Sequence, residues 1–477
     1  MGGSLPRTRP ATAVHSGSGD RDHARAPGRT RVRREPSGQV GDLTRPHLRG
    51  RGSSDGGRTT PDWASADGLR RCETRAMTEL PDILSPEFAA DPYSAYRVLR
   101  ERAPLLYHEA TRSWLVSRCE DVERGLRDPV FTNENYEWQV APVHGRTMLE
   151  MGGREHAVRR ALVAPAFRGT SLEQKFRPVI ERNARVLVDG FRRAGRVELI
   201  SQFATRFPIN VIVDVLGLDQ ADHDRFHRWY TSVIAFLGNL SGDPRVTEDG
   251  LRTREEFAAH LIPIVRRRRR DPGDDLLSAL CQAEVEGTRM SDEDVKSFCS
   301  LLLTAGGETT DKAVGSVMRN LLHHPEQLAA VRADRSLVER AFAESLRYTP
   351  PAHMVMRQTA AEVELAGGVI PAGATVTFLL ASANRDGARY ARPDEFDLFR
   401  ADLAVDRAFS AAARHLSFAL GRHFCVGALL AKAEVEVAVG HLLDAMPDAR
   451  LAPGSRAEER GIFMRGPAEL QVEFTPA

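Results

Sequence analysis

One cysteine, set between two glycines and followed by an apolar run, constrains this chain more than any other feature. The stretch is Phe418-Ala419-Leu420-Gly421-Arg422-His423-Phe424-Cys425-Val426-Gly427, leading into Ala428-Leu429-Leu430-Ala431. Gly421 and Gly427 open backbone conformations that a side chain forbids, so the chain can wrap closely around Cys425. Helical sequence starts just after it, and the free N–H groups of a helix N-terminus favour an anion, here a thiolate. Thiolates are nucleophiles or metal ligands. No second cysteine stands at zinc-ligand spacing. A haem iron needs one sulfur and a flat apolar wall, which Phe418 could supply. A buried free cysteine in a loop is the plain alternative.

A second stretch breaks local rules in a way that points to use. Ser291-Asp292-Glu293-Asp294 reads as a capping box, and an apolar-rich helix follows to about His323. At ~1.5 Å per residue it spans roughly 48 Å, enough to cross a whole domain. Its centre is Ala305-Gly306-Gly307-Glu308-Thr309-Thr310. Two glycines and two β-branched threonines are poor helix formers, and a glutamate in an apolar helix is costly unless used or paired. Such violations mark functional sites. The glycines admit a flat ligand and permit a kink or an inserted water. Glu308 and Thr309 supply a carboxylate and a hydroxyl for proton delivery. A kinked core helix is the plain alternative.

Together these stretches resemble the haem-binding loop and the oxygen-activating helix of the cytochrome P-450 superfamily, and ordered motifs extend the resemblance over residues 77–477. Ala419 stands where the family usually has glycine or a small polar residue. The resemblance implies a mainly α fold, a triangular-prism helical domain around a buried haem, with a small β-rich lobe. It implies haem b (iron protoporphyrin IX) on Cys425, with Glu308 and Thr309 as the catalytic pair. His156 and Arg160, four apart and so on one helix face, match the propionate-binding helix. Arg357 and His415 fall at further propionate positions. Phe418, Gly421, His423 and Gly427 belong to the cysteine loop, and Ala305 and Gly306 to the haem-facing turn. Glu344 and Arg347, three apart, resemble a structural network completed by Arg400. Leu302, Ala352, Val355, Phe463 and Met464 fall where the family lines its substrate pocket, under a covering segment at 131–150.

Periodicity predicts helices over 174–192, 208–216, 222–238, 249–269 and 275–284. Beyond Pro350-Pro351 the period changes to strands with Gly/Pro turns, and Arg465-Gly466 and Leu470-Gln471-Val472 look like a closing strand pair with its tip at Ile462 to Met464. The Arg266–Arg270 run before Asp271-Pro272-Gly273 reads as a helix C-terminus rather than a binding site.

Residues 1–76 differ in texture. They hold fifteen arginines, no lysine and eight acids, a net of +7 in a chain of +1 overall. With few large apolar residues they read as a disordered extension, upstream of a natural start at Met77. An Arg-rich arm for nucleic acid is a weaker reading, and no nucleic-acid partner is expected. Residues 77–477 read as one domain. Five scattered cysteines argue against a disulfide framework and for a reducing, cytoplasmic setting. No run of about 18 apolar residues offers a membrane anchor.

The resemblance implies a monooxygenase, acting as a monomer, that activates O2 and hydroxylates or epoxidises a mostly apolar small molecule of secondary metabolism. No flavin or iron–sulfur domain is visible, so electrons would come from NAD(P)H through ferredoxin reductase and a ferredoxin. Arg160, Arg414, Arg422 and Lys432 are candidates for its docking face. A peroxide-using or non-oxygenating haem-thiolate enzyme, and a haem-binding sensor or ligand-binding protein, fit many of the same residues.

Overall fold

Asp91 starts the first long helix, Pro92–Arg102, by accepting the N–H groups of Tyr93 and Ser94. The computed structural model describes residues 80–476, so the expectations for residues 1–76 lie outside the described residues. The helices that build the site are α1 (Ala141–His144), α2 (Gly153–Val163), α3 (Pro244–Arg270), α4 (Asp292–His323), α5 (Leu337–Tyr348) and α6 (Ala428–Ala445).

The capping box forms as the sequence predicts. Ser291 Oγ accepts the Asp294 N–H at 3.0 Å, and Asp294 Oδ2 accepts the Ser291 N–H at 2.8 Å. The 32-residue α4 then runs through the main core, with Val295, Cys299, Val314, Val317, Met318 and Leu321 fully buried. A helix enclosed on all sides has no solvent face, so its polar and apolar residues are not sorted to opposite sides. It stays helical through Gly306-Gly307, where the sequence left room for a kink.

Two helix boundaries differ from the periodic reading. α3 begins at Pro244 because Asp243 caps it, accepting the Arg245 N–H at 2.9 Å. The stretch predicted as one helix over 174–192 divides into a π-helical turn, Ser171–Phe176, and an α-helix, Arg177–Asp189. The arginine run ends α3 as expected. Arg269 joins it to the head of α4 by donating to Asp292 at 2.7 Å, and to the intervening helix Leu276–Gln282 by donating to the Cys281 carbonyl at 3.1 Å.

The β-rich part is a sheet of β1 (Leu105–His108), β2 (Ser113–Val116), β3 (Phe131–Thr132), β4 (Val355–Thr359) and β5 (Thr375–Phe378), in the order β1-β2-β5-β4-β3. β2 and β5 pair in parallel, Ser113 opposite Thr375 and Val116 opposite Phe378; the other pairs are antiparallel. The C-terminal strands do not pair with each other as expected. Gly466–Pro467 (β7) pairs with Glu459–Arg460 (β6), while Gln471–Glu473 pairs with Arg450–Leu451 and Arg196–Glu198. The cause is a tight reversal at Gly461, where φ is +110° and a Cβ would lie 1.8 Å from the Met464 carbonyl. Ile462 to Met464 form the tip of the β6–β7 hairpin instead. No helix among the described residues is long and apolar enough to cross a membrane.

Candidate active site

The cysteine loop is held by its own backbone. The Ala419 N–H donates to the Leu416 carbonyl at 2.8 Å, and the Cys425 N–H to that of Phe418 at 2.9 Å. Gly421 has φ +70°, and a Cβ there would sit 2.7 Å from the Leu126 carbonyl, so this glycine is required. Gly427 is not required in the same way. Its φ is −92°, and a Cβ would meet only Cys425 Sγ, at 3.9 Å. What it leaves is space beside the sulfur. Ala419 carries the strain instead, at φ +55° in the left-handed region. That conformation costs a non-glycine residue roughly 1–2 kcal/mol, and glycine loses roughly 0.5–1 kcal/mol of that gain to unfolded-chain entropy. Ala419→Gly is therefore expected to stabilise the protein by about 0.5–1 kcal/mol, measured by urea unfolding.

Cys425 does not become a thiolate from its helix position alone. Burial pushes its thiol up, and this outweighs the Gly427 N–H and the Arg160 charge, which pull it down. Around it lies a group of basic side chains, two of them imidazoles held neutral. The His156 and His423 rings are 4.0 Å apart. Burial, and then His156, Arg357, Arg422 and Arg160, bring His423 down to about 3. Arg357 is buried, and among the described residues it donates to one backbone carbonyl, that of Met356 at 2.7 Å. No carboxylate among the described residues pairs with Arg160, Arg357 or Arg422. His415 is buried with Nε2 lacking a hydrogen-bond partner, and burial, opposed by the Ala408 carbonyl, lowers it to about 4. Phe418 stands beside it, with ring centroids 5.9 Å apart. A flat apolar group with a metal for the sulfur and two carboxylates for the arginines and imidazole N–H groups fits this donor set.

On α4, of the described residues from Val295 to Leu322, only Ala305 is exposed. An exposed alanine midway along a buried helix marks the wall of a hollow. A Cβ on Gly307 would approach the Tyr230 ring to 3.3 Å, and one on Gly306 would approach Ile212 Cδ1 to 3.3 Å. Thr309 Oγ1 donates to the Ala305 carbonyl at 2.7 Å. Glu308 is half-buried and makes no hydrogen bond or ion pair among the described residues. Burial raises its pKa; Lys312 opposes this and Asp311 adds to it. Asp311 itself is buried, 3.0 Å from Lys312 Nζ through one oxygen and without a partner at the other. Thr310 Oγ1 donates to Glu434 on α6 at 3.3 Å, and burial raises Glu434 to about 8. Sequence reasoning missed Asp311, Lys312 and Glu434. The first two lie in the next turn after the motif, and a second charged pair inside an apolar helix was the available signal.

The half-buried residues Leu302, Ala352, Val355 and Phe463 each pack on a core, Leu302 on the helical one, Ala352 and Val355 on the one under the sheet, Phe463 on a third at the N-terminal helices. Ala352 also bridges Met464, and the His353 N–H donates to the Phe463 carbonyl at 2.8 Å. Ala352, Phe463 and Met464 are thus brought together, while Leu302 packs on the helical core. Away from them, Glu344 on α5 accepts from Arg347 Nη2 at 2.7 Å and from Arg400 Nε at 3.1 Å. An open hollow of about 530 Å3 beside Arg100 and Arg385 shares no residue with any of these groups.

Over 401 residues the chain is 37% identical to pulcherriminic acid synthase of Bacillus subtilis (strain 168), covering 84% of this chain and 99% of the relative. The chain belongs to the cytochrome P450 family. The family model described as Cytochrome P450 matches residues 220–446. This P450 is also 34% identical to the cytochrome P450 monooxygenase PikC of Streptomyces venezuelae, over 85% of this chain and 97% of the relative. Among solved structures it is similar to cytochrome P450 CYP109Q5 from Chondromyces apiculatus, at 33% identity and a TM-score of 0.74, over 83% of this chain and 98% of that one. It is a P450 monooxygenase, and the cofactor of the family is haem b.

Proposed function

We propose that this P450 hydroxylates or epoxidises a mostly apolar small molecule of secondary metabolism, with electrons from a ferredoxin and its reductase, in the cytoplasm. Cys425 would hold the iron through Sγ. His156, Arg160, Arg357, His415 and His423 would meet the propionates, and Phe418, Gly421, Gly427, Ala305 and Gly306 would border the ring. Bound there, the haem supplies O2 activation, favoured by donation from the thiolate. The chain supplies position, exclusion of water and protons. Glu344, Arg347 and Arg400 hold the fold rather than the substrate.

The observation that carries this reading is the free carboxyl of Glu308 beside Thr309. The Thr309 hydrogen is committed to the Ala305 carbonyl, so its oxygen is free to accept a hydrogen bond. Because burial raises the Glu308 pKa, the carboxyl holds its proton to higher pH than an exposed one and can return it as a general acid. O2-dependent turnover should fall as pH rises through that raised value. Glu308→Gln is expected to cut it about 10²-fold and flatten the profile, while peroxide-supported turnover of the same variant stays near wild type. Equal loss in both assays would sink the proton-donor role.

The ferredoxin reading rests on the proximal cations. Lys432 is engaged by Glu339 at 2.7 Å, and Arg414 donates to the Arg389 carbonyl at 2.9 Å. Arg422 is exposed and makes no ion pair among the described residues, so it is the cation best placed to meet an acidic partner.

A further inference from the structure

The segment over 131–150 carries no regular period, yet several tethers hold it, among them Gln139 Nε2 donating to Met356 Sδ at 2.7 Å and an Arg146–Glu155 ion pair at 2.7 Å. At its root, Phe131 and Thr132 pair with Thr359 and Gln358 of β4, and Asn133 Nδ2 donates to the Leu149 carbonyl at 2.8 Å. On its outer side, Arg254 of α3 donates to the Pro142 carbonyl at 3.0 Å. On its inner side a buried histidine, His144, ends α1 and reaches α4. Its Nδ1 lies 2.8 Å from Ser300 Oγ and its Nε2 3.3 Å from Thr304 Oγ1.

The protons of this contact can be assigned by accounting. The Thr304 hydroxyl donates to the Leu301 carbonyl at 3.2 Å, so its oxygen accepts from His144 Nε2–H. The ring is then bare at Nδ1, and the Ser300 hydroxyl donates to it. All three side chains are buried, and only the neutral ring satisfies every group. A second proton would leave the Ser300 hydrogen without an acceptor. It would also add charge beside Lys296, whose buried ammonium lies 3.4 Å from the His144 carbonyl and 3.1 Å from the Glu293 carboxylate. Burial, and then Lys296, accordingly lower His144 to about 3. The contact keeps its form across the working pH range of an enzyme. Gly145, at φ +81°, lets the backbone turn away immediately after it, and a Cβ there would lie 2.6 Å from Ser297 Oγ.

Thr304 directly precedes the exposed Ala305 and lies four residues before Glu308, on the same helix face. We propose that His144 is a positioning residue of the reaction, a latch whose two side-chain bonds register the segment 131–150 against the turn of α4 that carries Ala305 and Glu308. This rests on the monooxygenase reading for its consequence, the placing of substrate, but not for the latch itself. Among the described residues, the one further side-chain hydrogen bond between this segment and α4 runs from Lys296 Nζ to the His144 carbonyl at 3.4 Å, and it does not use the His144 ring.

Amide hydrogen exchange of the purified, substrate-free protein tests the latch whether or not haem is bound. His144→Ala is expected to raise exchange across 133–149 and 300–308 about tenfold or more, with the rest of the chain unchanged. His144→Gln, which offers one donor and one acceptor, should stay within a few-fold of wild type. Thr304→Val, close in shape, removes one bond without emptying the site and should loosen the same two regions. The haem-bound protein gives a second readout, the azole difference spectrum. Imidazole, small enough to ignore the cover, should bind His144→Ala as it binds wild type, whereas 4-phenylimidazole should bind about tenfold more weakly, with recovery in His144→Gln. Unchanged exchange at 133–149 in both His144→Ala and Thr304→Val would overturn the latch, and so would a rise spread evenly over the molecule. Local loosening with no change for 4-phenylimidazole would overturn its part in placing substrate. A wild type that gives no azole spectrum would instead count against the haem reading, with the exchange result standing by itself.

Discussion

Cys425→Ala is expected to abolish the strongly red-shifted Soret band of the reduced, CO-bound protein, and O2-dependent turnover with it. No other described sulfur can take over. Cys119, Cys281 and Cys299 are buried elsewhere, with Cys119 pushed up to about 12 and Cys299 further, so neither offers a thiolate. The basic side chains do not depend on the sulfur. Arg357, His156 and His415 keep their places in the variant, and some haem should still bind. Its spectrum should then resemble that of histidine-ligated haem, with His423 the ring nearest in sequence. The pyridine haemochrome gives the haem content and the CO spectrum gives the ligand. A red-shifted band surviving at full haem content would show that Cys425 is not the ligand.

The largest stability effect belongs to Glu344. Its carboxylate and the Arg347 guanidinium are both 0% exposed, and the Arg400 side chain is 3% exposed. Arg347 also donates to the Pro393 and Glu395 carbonyls at 2.6 and 2.7 Å, so α5 is stitched to the loop before the cysteine. Removing one member of a buried pair strands the others without water or counter-charge, at a cost on the order of 3–5 kcal/mol. Against a total of about 5–15 kcal/mol, Glu344→Ala should yield little soluble protein, and what there is should unfold at far lower denaturant. Arg127→Ala is the control. That exposed arginine pairs with Glu123 across one helical turn, and its loss should cost less than about 1 kcal/mol. Equal midpoints for the two variants would refute the ranking.

What the sequence made legible was local chemistry that violates local rules. The capping box, the length of α4 and the misplaced Glu308 could all be seen because each is decided within a few residues. The thiolate at Cys425 could not be judged that way, since the helix end is a sequence property while the burial that opposes it depends on the whole fold. The role of Ala419 was half visible: the residue type stood out, but its positive φ belongs to the closed loop. His144 was invisible for a third reason. Its partners lie about 160 positions away, in a segment without period, and nothing near it in sequence marks a histidine whose ring satisfies two hydroxyls. The expected C-terminal strand pair failed on a single glycine, because Gly461 folds the chain back before the strands could meet.

The parallel joint between β2 and β5 also sets a clock. Ser113 finds Thr375, and Phe131 finds Thr359, only after most of the chain exists. At roughly 5–20 residues per second of synthesis, β2 waits about ten to fifty seconds for its neighbour. Through that interval the β1–β2 hairpin carries an unpaired edge with Trp114 and Leu115 on it, the kind of edge that invites another chain. The hazard for this protein therefore falls during its making, and chain segments that stop short of Thr375 should be the species that aggregate.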